Sequence, residues 1–116
     1  MARNQVTPTK AQMRKLPNLY ESDDCDPVVH VRYFFGGRGA FYVTECDPST
    51  MTFFGWAISP NGPDCDEWSY VTLQDLEESS SRRVFGGVER DLYFSSKPLS
   101  EACKQNGDPL PYGMKA

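Results

Sequence analysis

At 116 residues the chain is sized for one domain with a modest core, and at 39% hydrophobic and 13% aromatic much of that core must be Phe, Tyr and Trp. Net charge is -4 and the sequence pI about 4.9, a balance that disfavours general nucleic-acid binding unless the 12 basic residues cluster. No apolar run approaches the ~20 residues needed to span a bilayer. Met1-Ala2-Arg3-Asn4-Gln5 leads into no hydrophobic segment, so no membrane partner is expected and the chain reads as cytoplasmic.

Residues 1–8 are polar and read as a flexible N-terminus. A single α+β domain is expected over residues 9–103, and an irregular C-terminal tail over 104–116, where Gly and Pro accumulate. Thr7-Pro8 reads as an N-cap followed by proline at the first helical position, with a helix from Lys10 to about Leu16 that Pro17 stops. Val28–Phe35, rich in β-branched and aromatic residues, is the clearest strand. Gly36-Gly37-Arg38-Gly39 then reads as a hairpin turn rather than a phosphate loop, because no helix and no Lys-Ser/Thr pair follow. Ala40–Cys46 is the return strand. Asp47-Pro48-Ser49-Thr50 and Pro60-Asn61-Gly62-Pro63-Asp64 are turns on either side of a strand over Met51–Ile58, and Trp68–Thr72 is the next strand. Thr72-Leu73-Gln74-Asp75 has capping-box spacing and predicts a short helix through Leu76 to Glu78. A polar connection, Ser79 to Arg83, leads by Phe85-Gly86-Gly87 into a strand over Val88–Phe94, and one or two helical turns follow Pro98. The whole predicts an antiparallel sheet of four to five strands, with the N-terminal helix on one face and one or two short helices.

Cys25, Cys46, Cys65 and Cys103 form no Cys-x-x-Cys pair, so zinc-ribbon and redox spacing are absent. Three are followed by aspartate, as Cys25-Asp26, Cys46-Asp47 and Cys65-Asp66. In a simple meander the first two would lie at one sheet end and the third at the other, so one metal site using all three is not expected. No metal or cofactor is expected, and the thiols read as small hydrophobes. His30, the only histidine, has no second His or Cys beside it in the pattern and reads as a sheet-packed side chain rather than a catalytic base.

The most unusual stretch is Glu89-Arg90-Asp91-Leu92-Tyr93-Phe94, three charges inside an aromatic segment. On a strand Glu89 and Asp91 would project together, a place for an acid/base pair or a cation. The preferred reading has Arg90 fasten this late strand by bridging carboxylates or carbonyls. Phe54, Trp56, Trp68 and Tyr70 would share one face of a hairpin, as cross-strand core pairs. Their alternative use, stacking single-stranded nucleic acid, needs flanking basic residues. Residues 51–78 hold no Lys or Arg, against Asp64, Asp66, Glu67, Asp75, Glu77 and Glu78.

In order along the chain, Leu16-Pro17-Asn18-Leu19-Tyr20, Phe53-Phe54-Gly55-Trp56, Trp68 to Glu77, Val88 to Phe94 and Lys97-Pro98-Leu99-Ser100-Glu101 resemble a bacterial and phage family labelled only as a domain of unknown function, family 2958. The resemblance spans Leu16 to Glu101. It implies a small α+β domain carried on plasmids, integrative elements and phages, with no established activity and no defined catalytic residues. The segment Glu78 to Arg83, the Cys-Asp pairs and the tail after Lys104 depart from the family pattern. With the acidic stretch and the lack of a catalytic constellation, this leads to an expected non-enzymatic accessory protein of a mobile element, a monomer or small homo-oligomer. It would act by contact with a host or element-encoded protein, inhibition of a host defence system such as a CRISPR effector included. The contact residues expected are Asp64, Asp66, Glu67, Glu89, Arg90 and Asp91. Two alternatives stand beside it: a nucleic-acid-associated regulator using Arg32, Arg38, Arg82 and Arg83 as a local basic patch, and an enzyme using Glu89 and Asp91.

Overall fold

The computed structural model describes residues 6–21, 25–35, 37–82, 87–112 and 114. In chain order the elements are α1 (Lys10–Lys15), β1 (Val28–Val29), β2 (Val31–Phe35), β3 (Gly39–Asp47), β4 (Thr52–Ile58), β5 (Glu67–Thr72), α2 (Leu73–Ser81), β6 (Glu89–Arg90), β7 (Lys97–Pro98) and α3 (Leu99–Asn106). The expected α+β architecture is present: a five-stranded antiparallel sheet ordered β5-β4-β3-β2-β6, beside a two-stranded pair β1-β7.

Several boundaries differ from the sequence reading, each for a local reason. The first strand is split at His30, because Val28 and Val29 pair with Pro98 and Lys97 whereas Val31 onward pairs with β3. The cap of α1 is Thr9, not Thr7: the Thr9 hydroxyl accepts from the Gln12 N–H at 3.1 Å while Gln12 Oε1 accepts from the Thr9 N–H at 2.9 Å. The same reciprocal cap joins Thr72 and Asp75, as expected, but α2 continues to Ser81. Val88–Phe94 is not one strand. Asp91 Oδ1 accepts from the Tyr93 N–H at 3.0 Å, an aspartate turn that ends β6 after Arg90.

Both faces of the sheet are covered over β2 and β3. On one, Tyr33, Phe41, Val43 and Phe53 pack with Val6, Leu76 and Val88, flanked by Met13 and Leu16. On the other, Ala40, Tyr42, Trp56 and Ile58 pack with Leu99, Ala102 and Cys103 of α3. The ends of the chain join these cores. The Tyr33 hydroxyl donates to the Val6 carbonyl, so the segment expected to be loose through residue 8 is packed from Val6. α3 runs to Asn106, into the segment expected to be irregular from residue 104, and the residues after it are docked: Trp56 Nε1 donates to the Pro109 carbonyl at 3.0 Å and the Tyr42 hydroxyl to Asp108.

One irregularity positions the site. β3 and β4 run in register to Val43 opposite Gly55, then skip Thr44 and resume with Glu45 opposite Phe54. The Thr44 hydroxyl donates to the Phe54 carbonyl at 3.3 Å. Downstream of this bulge Cys46 faces the α1/α2 core and Glu45 the opposite side.

Candidate functional site

α3 covers only part of its sheet face. It reaches Tyr42 and Trp56, and beyond them Phe54 on β4 and Trp68 and Tyr70 on β5 continue the same face with no helix above them among the described residues. Phe54 and Trp68 stack at 5.4 Å between ring centroids with planes 9° apart. Tyr70 tilts onto Phe54 at 4.9 Å, and Trp56 onto Trp68 at 5.7 Å. Tyr20 extends the row from the loop after α1: its ring lies 6.4 Å from Tyr70, and the Tyr70 hydroxyl donates to the Tyr20 hydroxyl at 3.0 Å. The outer three rings are open to solvent, with Trp68 36%, Tyr70 52% and Tyr20 80% exposed, whereas Trp56 is buried under α3.

Tyr20 is held there at a cost. Its φ of 69° lies in the left-handed region, which costs a bulky residue about 1 kcal/mol or more. The Tyr20 N–H donates to the Glu45 carboxylate at 2.8 Å, and Glu45 is the group the bulge turned to this side. The hydroxyl bond to Tyr20, partial desolvation and the Glu45 charge raise the pKa of Tyr70. Sequence patterning placed Phe54, Trp56, Trp68 and Tyr70 on one face correctly and assigned all four to the core, which holds for Trp56 and not for Trp68 and Tyr70. It missed Tyr20, which no alternation links to β5. The available signal was the lack of an apolar helical stripe long enough to cover both ends of the face.

The expected contact residues do not form one surface. Glu67 begins β5 and Asp64 lies in the 3-10 turn Pro63–Cys65 just before it, both exposed. Glu89, Arg90 and Asp91 lie at β6, the other edge of the sheet. Asp66 is a structural clamp: it takes the Arg38 guanidinium at 2.7 and 2.6 Å and the Ser59 N–H at 2.7 Å, and Arg38 holds its carboxyl below the usual range. Asp91 is bonded to Arg32 at 3.2 Å, and the Asp91 N–H donates to the Arg32 carbonyl at 2.8 Å. Arg32–Asp91 thus helps tie this segment to β2, where Arg90 stands in register opposite Tyr33.

Arg32, Arg38, Asp91 and Asp108 line a polar cleft of about 480 Å³ beside the β2–β3 turn. Arg32 lies 5.6 and 5.5 Å from the Phe34 and Tyr42 ring centroids. Both arginines of the cleft are committed to carboxylates, and Arg82 stands at the end of α2, outside the lining. Arg83 lies outside the described residues. Glu89 is likewise not in the lining, so Glu89 and Asp91 do not converge on this cleft.

All four cysteines are free, Cys25 and Cys65 exposed, Cys46 and Cys103 buried on opposite sides of the sheet. Burial, with Asp47 nearby, pushes the Cys46 thiol up to about 11; burial and Asp108 push Cys103 up to about 12. No group of three or more metal-ligating side chains occurs among the described residues. The aspartates of the three Cys-Asp pairs are local staples instead. Asp26 accepts from the Ser100 N–H at 2.9 Å at the start of α3, Asp47 accepts from the Ser49 N–H at 3.0 Å, and Asp66 holds Arg38.

Fold and site define a small antiparallel α+β domain with one uncovered aromatic face, and no helix among the described residues is long and apolar enough to cross a membrane. Residues 2–107 match the family described as "Protein of unknown function (DUF2958)", and the chain belongs to that family. No curated protein and no solved structure matches.

Proposed function

We propose that the protein is a non-enzymatic accessory factor that acts by protein–protein contact through the aromatic face of Tyr20, Phe54, Trp68 and Tyr70. The observation that carries this reading is the exposure of three large rings in one continuous row, one of them held in a strained backbone conformation. Exposed Trp and Tyr clusters are the composition of interface hot spots, where large rigid rings lose little entropy on binding. The exposed carboxylates Asp64 and Glu67 at the start of β5 favour a basic partner surface and disfavour a phosphate backbone. In keeping with its family, the setting we propose is the cytoplasm of a host carrying a mobile element, with host machinery, defence effectors included, as the source of the partner.

The test is affinity purification from host lysate with the wild type and with a Trp68→Ala/Tyr70→Ala variant whose circular dichroism matches it. A stoichiometric partner is expected with the wild type and is lost, by about 100-fold in affinity, with the variant. Equal recovery by both proteins would remove the aromatic face from the mechanism.

A further inference from the structure

We propose that β5 accepts a basic, extended segment of the partner protein as a sixth strand, its backbone paired along the outer edge of β5, its Lys or Arg side chains on the face of Glu67 and α2, and the alternate side chains over Trp68 and Tyr70. This inference rests on the reading of the aromatic face as a protein-contact surface and specifies how the partner is held.

The two edges of the sheet differ. β6 is two residues long, carries Glu89 and Arg90, and is cut off by the Asp91 turn, all features that blunt an edge. β5 has six residues, Glu67 to Thr72, with no Pro, Lys or bulge, and among the described residues pairs only with β4. The direction of its backbone groups follows from the ladder. The Leu73 N–H donates to the Met51 carbonyl at 2.9 Å, in step with the β4–β5 register. Alternation therefore turns the backbone groups of Glu67, Ser69 and Val71 toward β4 and those of Trp68 and Tyr70 outward. The outward N–H of Thr72 is occupied by Asp75 Oδ2 at 3.2 Å. What remains open is the N–H and C=O of Trp68 and Tyr70, the residues whose rings are also exposed. Backbone pairing there would set an incoming chain in register with the ring row, which is how strand addition combines affinity with side-chain selection.

Charge chooses the occupant. Glu67 on β5 and Asp75, Glu77 and Glu78 on α2 are exposed, on the face of β5 that carries Val71 and opposite to Trp68 and Tyr70, and residues 51–78 contribute no compensating cation. Side chains of an added strand alternate between the faces, so Lys or Arg in one phase would meet these carboxylates while the other phase lies over Trp68 and Tyr70. A second copy of this chain would bring the same acidic segment against itself, and single-stranded nucleic acid would bring phosphates to it.

The experiment selects displayed random twelve-residue peptides on the intact protein, then measures the strongest selected peptide by Trp fluorescence titration. Selected sequences are expected to carry Lys or Arg at alternating positions. Methylating the peptide's backbone nitrogens in one alternating phase should weaken binding by about 100-fold, while the other phase is tolerated. Tyr70→Pro removes one outward N–H and leaves the β4 ladder intact, so it should bind about tenfold more weakly than Tyr70→Ala, with both variants checked by thermal melting. Equal binding of both methylated phases would overturn strand addition while leaving the contact surface standing. Selected peptides without basic enrichment, no selected binder, tighter binding of an oligo-dT strand, or a dimer that Tyr70→Pro dissolves would each also overturn it. Binding unchanged by Trp68→Ala and Tyr70→Ala would sink the contact reading as well.

Discussion

A methyl group on Gly55 would lie 1.9 Å from the Tyr42 carbonyl oxygen and 2.7 Å from its carbon, backbone atoms that cannot step aside. Gly55→Ala is therefore expected to lower stability by about 3 kcal/mol, measured by urea denaturation. The residue stands inside Phe53-Phe54-Gly55-Trp56, so the glycine of that motif answers to a close approach of two strands at the bulge. In the sequence it was visible only as punctuation between aromatics. The three aspartates after cysteine show the same limit. Their repetition hinted at shared chemistry, but each reaches a different local N–H or guanidinium, and only coordinates reveal which.

Elements built from short-range signals were legible: the Thr72–Asp75 capping box, the glycine hairpin, and strands β3 and β4 with their turns. Elements fixed by distant partners were not. α3 starts without a side-chain cap of its own and borrows one from Asp26, 74 positions away in sequence. Asp26→Ala should cost about 1 kcal/mol in urea denaturation, with the added hydrogen exchange confined to the first turn of α3. The Glu89-Arg90-Asp91 tract failed to read as it folds because an aspartate turn overrode β propensity. Trp68 and Tyr70 were assigned to the right face and the wrong environment, since helix coverage depends on where α3 docks and not on β4 or β5.

Across the whole molecule, stability should respond to acid through His30, which sits between β1 and β2 with Nδ1 2.8 Å from the Ser96 hydroxyl. Burial, and secondarily the Lys15 charge, lowers its pKa from 6.5. The folded state then holds fewer protons than the unfolded chain just below pH 6.5, so this contribution is intact above that value and lost as pH falls through the lowered one. Urea midpoints measured at steps between neutral pH and about pH 5 should fall for the wild type and fall less for His30→Asn. The decline from Asp66, whose carboxyl is already held low, belongs to more acidic conditions. The bulge at Thr44 acts on the same global scale. It works as a one-residue frameshift in the inside–outside code of β3: with strict alternation Glu45 would point into the core beside Val43 and Cys46 would sit under the tyrosines. The central strand is thus written in two phases, one serving the double-covered end of the sheet and one serving the open end. Relocating that single extra residue would change what the open end displays without altering Trp68 or Tyr70.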